Sequence, residues 1–547
     1  MGNARGAAAA GHPAEVVAAL RILEEGGNAV DAAIAGAFCA FVVEPNNAGP
    51  AGYGHLTAWL PGEGRFLTVD HGPRAPAAAR TDLFALVGPH PSGRYDWPAV
   101  EARANEFGAL ATGVPGAVAG LCAAHERAGS LPLAELVAPA IEIAERGLPV
   151  DWHLALTIVQ RLADIRSQPA AAAFLLRDGD PPPACDDWGN GETLDTAKLA
   201  ETLRRIAREG AAGFHGGDVA AAIERAVRAG GGILSAADLA AYEPRVVWEQ
   251  PTAYRGREVV TAEDDLGHLI LGILAHFDLP GHGPGSADTL HLLAEAFGHM
   301  FADGVTWAGD PAAFPELSSE LRSPRYAAER AAALRLDRAA PRPLEPGNPS
   351  AAPPAGVGGT AGTTQIAVAD AAGGMAVVIT TIGQDFGGLV YVPEVGVMLN
   401  SAMVNFDPRP GRVNSIAPGR MPLFGVPATI AVEDGRAVLA CGGSGGYRIT
   451  SSVISATLAV LDHGLSAEAA VSAPRVWCQG AETYVDARID SSVRDELRAR
   501  GHDLVVQELT PAYEPFARVS LVVAGANGTF DAASDPRWHG AAGLSRA

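Results

Sequence analysis

Gly362-Thr363-Thr364-Gln365-Ile366-Ala367-Val368-Ala369-Asp370 is the stretch of this sequence that decides the fold. Upstream of it, residues 340–361 read APRPLEPGNPSAAPPAGVGGTA, a composition that cannot bury an apolar face and predicts a mobile linker. Downstream, residues 364–368 alternate in polarity. A glycine turn follows, and a second, β-branched run occupies residues 375–381. Two such runs separated by a turn predict a β-hairpin that begins directly after the linker.

Thr363 is the candidate nucleophile in this stretch. A cut between Gly362 and Thr363 would leave the threonine with its own α-amine beside its hydroxyl. An adjacent amine is one of the recognised bases that activate a threonine hydroxyl. Because an α-amine titrates at about 7.7–8.0, it suits a general base near neutral pH.

Length and charge exclude several classes of protein. The chain has 547 residues, 48% of them hydrophobic, and a net charge of −22, which argues against binding to a phosphate backbone. The five cysteines have no CxxC spacing, so we expect reduced thiols and no zinc site. No run reaches the roughly 18 apolar residues of a membrane span. The N-terminal residues lack a basic start followed by an apolar stretch, from which we expect a cytoplasmic protein.

Apolar periodicity and glycine breaks predict alternating helices and short strands. We expect helices over 14–25 and 30–43, a helical region over 111–150 interrupted by Pro115 and Pro132, mostly helix over 197–245, a hairpin over 428–440 and a helix over 449–461.

Several short motifs together resemble the γ-glutamyltranspeptidases, which are N-terminal-nucleophile hydrolases. In the first part of the chain they are ILEEGGNAVDAA at 22–33, GVPGAVAG at 113–120, DLAAY at 238–242, YRG at 254–256 and GSAD at 285–288. In the second part they are the Thr363-Thr364 pair, the glycines before Arg448-Ile449, APR at 473–475 and ASDPR at 533–537. Each motif alone is weak, but their order along the chain is specific to the family.

The resemblance implies a four-layer αββα fold and a proenzyme. Self-cleavage would give a large subunit, residues 1–362 including the linker 340–362, and a small subunit, residues 363–547. The two subunits would stay together without a covalent link, and a dimer of such heterodimers is compatible with the family. The resemblance implies a small-molecule amide or acyl substrate and requires no cofactor and no metal.

The catalytic residues of the family are present. Thr363 matches the nucleophile, and Thr381 matches the second threonine that bonds its hydroxyl. Gly445 and Gly446 match the pair whose N–H groups form the oxyanion hole, the donor geometry that a tetrahedral intermediate needs.

The residues that hold the glutamate differ from the family pattern. Gly72 stands where the carboxylate-binding arginine is expected, and Arg74 is displaced from it by two positions. Asn405 replaces the aspartate that binds the α-amine. Phe424 and Gly425 replace a serine pair, and Gly383 replaces an asparagine. Since each charge-assisted hydrogen bond contributes about 1.5–3 kcal/mol, we expect the γ-glutamyl group to bind much more weakly.

Alternative functions stay open from the sequence. Authentic γ-glutamyl hydrolysis requires Arg74 and Asn405 to rebuild the clamp, and some family members cleave a C–C bond next to a ketone. A catalytically dead binding scaffold is a third reading. A fourth is a serine hydrolase, because 442–446 fits G-x-S-x-G between a predicted strand and a predicted helix. Ser444 would then be the nucleophile, with Asp486 or Asp490 and His502 or His539.

Overall fold

The computed structural model describes residues 4–91, 97–186, 191–262, 265–350, 363–423, 425–510 and 515–546. Two antiparallel sheets lie at the centre of this part of the chain. The seven-stranded sheet has the order Ala541–Leu544, Gly6–Ala10, Thr364–Asp370, Met375–Thr381, Tyr53–Leu60, Arg65–His71 and Arg245–Glu249. The six-stranded sheet has the order Phe530–Ser534, Arg518–Ala524, Arg436–Ser444, Thr429–Glu433, Arg257–Thr261 and Thr252–Tyr254.

Both predicted hairpins are confirmed. Thr364–Asp370 pairs with Met375–Thr381 around a turn in which Gly373 has a φ of 87°. Thr429–Glu433 pairs with Arg436–Ser444. The β-branched residues that predicted these strands lie in fully buried positions on both faces of the sheets.

The two sheets face each other, and helices cover their outer faces. Gly442 of the six-stranded sheet lies against Val377 and Gln365 of the seven-stranded sheet, whereas its neighbour Gly443 lies against the helix Ile449–Leu461. On the other side, Gly36 of a helix lies against Ile366. The layer order is therefore helix, sheet, sheet, helix, which confirms the αββα fold.

The helices divide between the two outer layers by their place in the chain. The layer on the side of the seven-stranded sheet contains Pro13–Glu24, Ala29–Val43, Ala117–Ala128, Leu133–Arg146, Trp152–Gln160, Leu162–Arg166, Pro169–Leu175, Ala197–Glu209, Ala212–His215, Gly217–Ala229 and Ala236–Ala240. The layer on the side of the six-stranded sheet contains Asp265–Leu274, Ala287–Trp307, Pro315–Leu321, Pro324–Ala332, Ile449–Leu461, Ala467–Ser472 and Ser491–Ala499. Short strands outside the two sheets are Leu86–Pro91, Pro98–Val100, Leu148–Pro149, Thr193–Leu194, Tyr391–Val392, Val397–Met398, Val476–Gln479, Glu482–Asp486 and Leu504–Gln507. Within the described residues, none of these helices is long and apolar enough to cross a bilayer.

The predicted helices are present, with capping residues and a proline at their ends as expected. Ala29–Val43 is buried along its whole length and begins with a capping box between Asn28 and Asp31, which satisfies two backbone donors at the helix start. The predicted helical region over 111–150 becomes two helices, because Pro132 ends the loop between them. The region over 197–245 contains four helices and then enters the strand Arg245–Glu249.

Residues 340–350 have no helix or strand, yet they lie against the helix Ala287–Trp307. The buried carboxylate of Glu295 accepts a hydrogen bond from the Ala340 N–H at 3.0 Å and pairs with Arg342 at 2.5 Å. Further along, the Gly347 N–H donates to Asp303 at 2.6 Å. This part of the predicted linker is therefore anchored, and its remainder, 351–362, falls outside the described residues.

Strands from before and after Thr363 pair with each other in both sheets. Gly6–Ala10 lies between two strands from the C-terminal part of the chain. Met375–Thr381 pairs with Tyr53–Leu60, and Thr429–Glu433 pairs with Arg257–Thr261. Four hydrogen-bonded ladders thus join the two predicted subunits.

Candidate active site

Thr363 lies at the start of the central strand and points into the layer between the sheets. Two residues later, Gln365 crosses that layer and its Nε2 donates to the Ser520 hydroxyl at 3.0 Å. Because side chains alternate along a strand, Thr363 faces the same layer as Gln365. Thr363 is fully buried, and its Oγ1 has no hydrogen-bond partner among the described residues.

Strand register places the candidate nucleophile, Thr363, in one row with three other residues. Thr364 pairs with Thr380, so Thr363 stands opposite Thr381 at the next position. Thr381 pairs with Tyr53, and Gly54 pairs with His71, which brings Gly72 next to Tyr53. Thr363, Thr381, Tyr53 and Gly72 form this row, which we call the nucleophile row.

The turn after Thr381 packs tightly against the row. The Gly383 N–H donates to the Thr381 hydroxyl at 2.9 Å. Gly383 has a φ of 95°, and a Cβ added there would lie 2.5 Å from the Ser401 Oγ. The turn therefore leaves no space for the asparagine that the family pattern predicts at this position.

Gly445 and Gly446 form the turn between the strand Arg436–Ser444 and the helix Ile449–Leu461. Their φ values of 134° and 69° lie in the region that favours glycine. A Cβ on Gly445 would lie 2.7 Å from the Ala517 Cα. Gly442 lies against Gln365, whereas the other ends of the two strands, at Ala369 and Arg436, line a common pocket. The turn after Ser444 therefore lies at the same end of the layer as Thr363. A helix N-terminus at this point favours a developing negative charge.

Asn405 lies against the nucleophile row through Tyr53. Its Nδ2 donates to the Tyr53 hydroxyl at 3.0 Å. The residue is fully buried, and its Oδ1 has no partner among the described residues. An unpaired buried acceptor is costly, and a ligand donor would satisfy it. Sequence reasoning missed Tyr53, although its place between Gly52 and Gly54 at the start of a strand was a signal.

Asn414 joins the Asn405 segment to the 423–425 segment. Its Nδ2 donates to the Asn405 carbonyl and its Oδ1 accepts from the Leu423 N–H, both at 2.7 Å. Gly425 is half-buried beside this bridge, while Phe424 falls outside the described residues. The predicted acyl pocket thus brings two separate loops together.

Arg74 pairs with an acidic residue close to the row. Its guanidinium lies 3.9 Å from Asp310, and its backbone forms a bridge with Val114. At Gly72, a Cβ would lie 2.5 Å from the Met421 sulfur. The position expected to hold a cationic clamp is therefore filled by a thioether, and the displaced arginine has an anionic partner.

The titratable groups beneath the row each keep one protonation state near neutral pH. Burial alone would raise the pKa of Asp70, but His55, the Gly72 N–H, Arg74 and Arg245 together hold that pKa below its ordinary value. Burial lowers the pKa of the neighbouring His71 to about 3. Asp70 is thus a buried carboxylate, already paired, and His71 is a neutral imidazole.

The alternative serine triad is not assembled. Ser444 does lie between a strand and a helix, as G-x-S-x-G requires, but the surrounding sheet is antiparallel throughout. Three of the other candidates have partners elsewhere: Asp486 bonds Arg488, His502 bonds His291 and His539 lies 3.3 Å from Asp151. The fourth, Asp490, directly precedes the helix Ser491–Ala499.

Two groups of described side chains bring donor atoms close enough for a metal ion: His12 with Asp151 and His539, and His291 with Glu295 and His502. In the first, the His12 Nδ1 accepts the Ala14 N–H. That bond needs the Nδ1 lone pair, whereas an imidazole bound to metal through Nε2 carries its proton on Nδ1. In the second group, each residue already bonds protein groups, and the His291 Nδ1 lies 2.7 Å from the His502 Nε2. These bonds favour structural hydrogen-bond networks over metal sites.

The family profile for γ-glutamyltranspeptidase matches residues 16–545. The chain belongs to the γ-glutamyltranspeptidase family. An acylase ACY 1 proenzyme from Pseudomonas sp. strain V22 is 36% identical over 92% of this chain and 88% of its own length. A glutathione hydrolase proenzyme from Bacillus subtilis strain 168 is 31% identical over 98% and 91%.

A solved structure is similar over the full chain. The cephalosporin acylase from Bacillus halodurans superposes with a TM-score of 0.85 at 25% identity, covering 100% of this chain and 96% of that one. This superposition identifies the αββα fold as that of the N-terminal-nucleophile hydrolases. The relatives therefore include acylases as well as glutathione hydrolases.

Proposed function

We propose that this protein is an amidohydrolase that cleaves itself before Thr363 and then uses that threonine on acyl groups other than γ-glutamyl. The nucleophile row carries the proposal, because it combines a buried threonine pair with a recognition end that lacks the family's arginine. The acylase relatives support the same assignment.

Each step uses a group at the site. The Thr363 hydroxyl attacks the amide carbonyl while its α-amine takes the proton. The N–H groups of Gly445 and Gly446 hold the oxyanion. The amine leaves with that proton, and water then hydrolyses the ester to release the acid and restore the hydroxyl. Thr381 accepts the Gly383 N–H and keeps its own proton, which it can donate to Thr363.

Self-cleavage uses the same hydroxyl against the carbonyl of Gly362. The attack forms an ester by moving the acyl group from nitrogen to oxygen, and water then cuts the ester. Intact mass spectrometry of the denatured protein tests this step. We expect two fragments, residues 1–362 and 363–547. A single chain of 56.0 kDa would contradict the proposal.

Acyl preference is tested with three p-nitroanilides that differ only at the distal end: γ-glutamyl, glutaryl and pentanoyl. Asn405 and Met421 lie against the row in place of a charged clamp, so we expect a higher kcat/KM for at least one analogue without the α-amine than for the γ-glutamyl compound. The glutathione hydrolase relative makes γ-glutamyl hydrolysis the second candidate. A γ-glutamyl preference of about tenfold or more would establish that candidate instead.

A further inference from the structure

Two glutamates lie behind the nucleophile strand, on the side of the seven-stranded sheet that faces the helices. Glu15 belongs to the helix Pro13–Glu24, and Glu44 directly follows the helix Ala29–Val43. Glu15 is 0% exposed and Glu44 is 4% exposed. Their carboxyl groups face each other, and we call them the carboxyl pair. The reaction proposed above uses neither residue.

The carboxyl pair has more hydrogen-bond acceptors than donors. The Glu44 Oε1 accepts a hydrogen bond from the Asn47 Nδ2 at 2.9 Å. The Glu44 Oε2 and both oxygens of Glu15 have no hydrogen-bond partner among the described residues. Two buried carboxylates that face each other without a cation do not both stay ionised. A proton on one of these oxygens would lower the charge and supply the missing donor.

Among the described residues, the other titratable groups that face the pair are neutral. Cys39 of the helix Ala29–Val43 faces Glu15, and His539 faces Glu44. Burial raises the pKa of the Cys39 thiol and lowers the pKa of the His539 imidazole, so neither carries a charge at neutral pH. Burial, together with the charge of Glu44, raises the pKa of Glu15 well above its ordinary value. These surroundings favour a carboxyl pair that keeps one proton.

Glu44 is connected to both strands of the hairpin that carries the nucleophile. At the first strand, a Cβ on Gly11 would lie 3.2 Å from the Glu44 Oε2 and would collide with the Thr364 Oγ1. Gly11 thus lies between these two groups, with no space for a side chain. At the end of the second strand, the Ile382 N–H donates to the carbonyl of Asn47 at 3.0 Å. Asn47 is the residue whose side chain bonds Glu44.

These contacts lie next to the two candidate catalytic threonines. Thr364 directly follows Thr363, and Ile382 directly follows Thr381. A displacement of the Glu44 side chain would therefore move both threonines of the nucleophile row.

We propose that Glu15 and Glu44 share one proton and position the two threonines, and that loss of this proton misplaces them. The proposal rests on the proposed amidohydrolase function. Without the proton, two negative charges face each other in a buried space, and their repulsion moves Glu44 against the hairpin. Glu15 and Glu44 are thus positioning residues that act through Thr364 and Asn47.

The pH profile of Glu15→Gln tests the carboxyl pair. Glutamine keeps the shape and cannot lose a proton, so the variant should resemble the protonated pair at every pH. On the p-nitroanilide that the protein cleaves fastest, we expect the ratio of variant to wild-type kcat to be about one at about pH 6. The ratio should rise to about threefold or more at about pH 9.5. Taking the ratio removes the contribution of the Thr363 α-amine, whose loss of a proton raises kcat in both proteins.

Glu24→Gln is the matched control, because Glu24 is an exposed glutamate in the same helix. Its kcat ratio to wild type should stay at about one at every pH. A ratio for Glu15→Gln that does not change with pH, whether near one or far below it, would overturn the carboxyl pair and leave the proposed function intact.

Thermal unfolding gives a second readout that needs no substrate. Because the pKa of Glu15 is raised in the folded protein, the pair stabilises the fold below the ordinary glutamate pKa of about 4.3, and this contribution is lost as the pH rises through the raised pKa. We expect the Tm of Glu15→Gln to match the wild-type Tm at about pH 5 and to exceed it by about 2 °C or more at about pH 9.

Two results of the thermal measurement would overturn the carboxyl pair. One is a Glu15→Gln protein that is less stable than wild type at every pH, including one that does not fold. The other is a wild-type Tm that rises with added Na⁺ or Mg²⁺ at alkaline pH while the Glu15→Gln Tm does not, since a cation would then take the place of the proton. A wild-type protein that cleaves no p-nitroanilide would contradict the proposed function, and the Tm comparison would still test the pair.

Discussion

The reaction half and the recognition half of the site differ in how they are built. The reaction half, Thr363 and Thr381 with the Gly445-Gly446 turn, is set by strand register and by a backbone turn that only glycine fits. The recognition half depends on side chains at loop ends, such as Asn405 and Met421. Register tolerates little change, whereas a loop side chain can change alone. This difference is what the proposed function requires, since it keeps the family's chemistry and changes the acyl group that the chemistry acts on.

The largest loss of activity is expected from a change at Thr363, in the reaction half of the site. Thr363→Ala should block both self-cleavage and hydrolysis, by at least about 10³-fold for the latter, because one hydroxyl serves both steps. Mass spectrometry and an amide assay measure the two outcomes. Thr363→Ser keeps a hydroxyl and should still cleave. A Thr363→Ala protein that is cut at the same bond would place the nucleophile elsewhere.

Gly445→Ala tests the turn of the reaction half. The new Cβ would lie 2.7 Å from the Ala517 backbone, so the turn must shift and misplace its N–H groups. We expect kcat to fall by about 10²- to 10³-fold for every acyl group. The Tm, measured alongside, distinguishes a displaced oxyanion hole from general unfolding. A loss confined to one acyl group would assign the turn to recognition.

Asn405→Asp tests whether the recognition half of the site sets the acyl preference. It places a carboxylate against Tyr53 with almost no change in shape, and a carboxylate can pair with the α-ammonium of a γ-glutamyl group. We expect the kcat/KM ratio of γ-glutamyl- to glutaryl-p-nitroanilide to rise about tenfold. Self-cleavage should continue, since the reaction half is unchanged. An unaltered ratio would mean that the acyl end does not reach Asn405.

The smallest effect is expected at Arg74. Because its guanidinium already pairs with Asp310, Arg74→Met should change the glutaryl to γ-glutamyl ratio by less than about threefold. The same three p-nitroanilides measure it. A selective fall for both carboxylate-bearing substrates, with pentanoyl unaffected, would show that Arg74 rebuilds the clamp.

Local features of the fold could be predicted from the sequence. The hairpin after Thr363, the hairpin around 433–436 and the helix Ile449–Leu461 all follow from short-range periodicity and turn residues, and all are present. The anchoring of 340–350 could not be predicted. Composition correctly excludes helix and strand there, but the Arg342–Glu295 pair depends on a distant helix that composition does not reveal.

Some residues of the candidate site could likewise be predicted from the sequence, and others could not. Thr363, Thr381 and the glycine pair follow from motif order, which the strand register then brings to one end of the sheets. Tyr53 lies 328 positions before Thr381 and meets it only because their strands are neighbours in the seven-stranded sheet. Sheet order, rather than local pattern, determines these parts.

The four ladders that join strands from both sides of Thr363 change what stability means for this protein. In an uncut chain, unfolding is unimolecular and the Tm does not depend on protein concentration. If the chain is cut before Thr363, complete unfolding releases two separate polypeptides, and mass action makes the Tm rise with concentration. Neither piece contains a complete sheet, so each piece alone would leave strands of both sheets without their partners. A cut protein would then be easy to keep folded and hard to refold from dilute denatured chains.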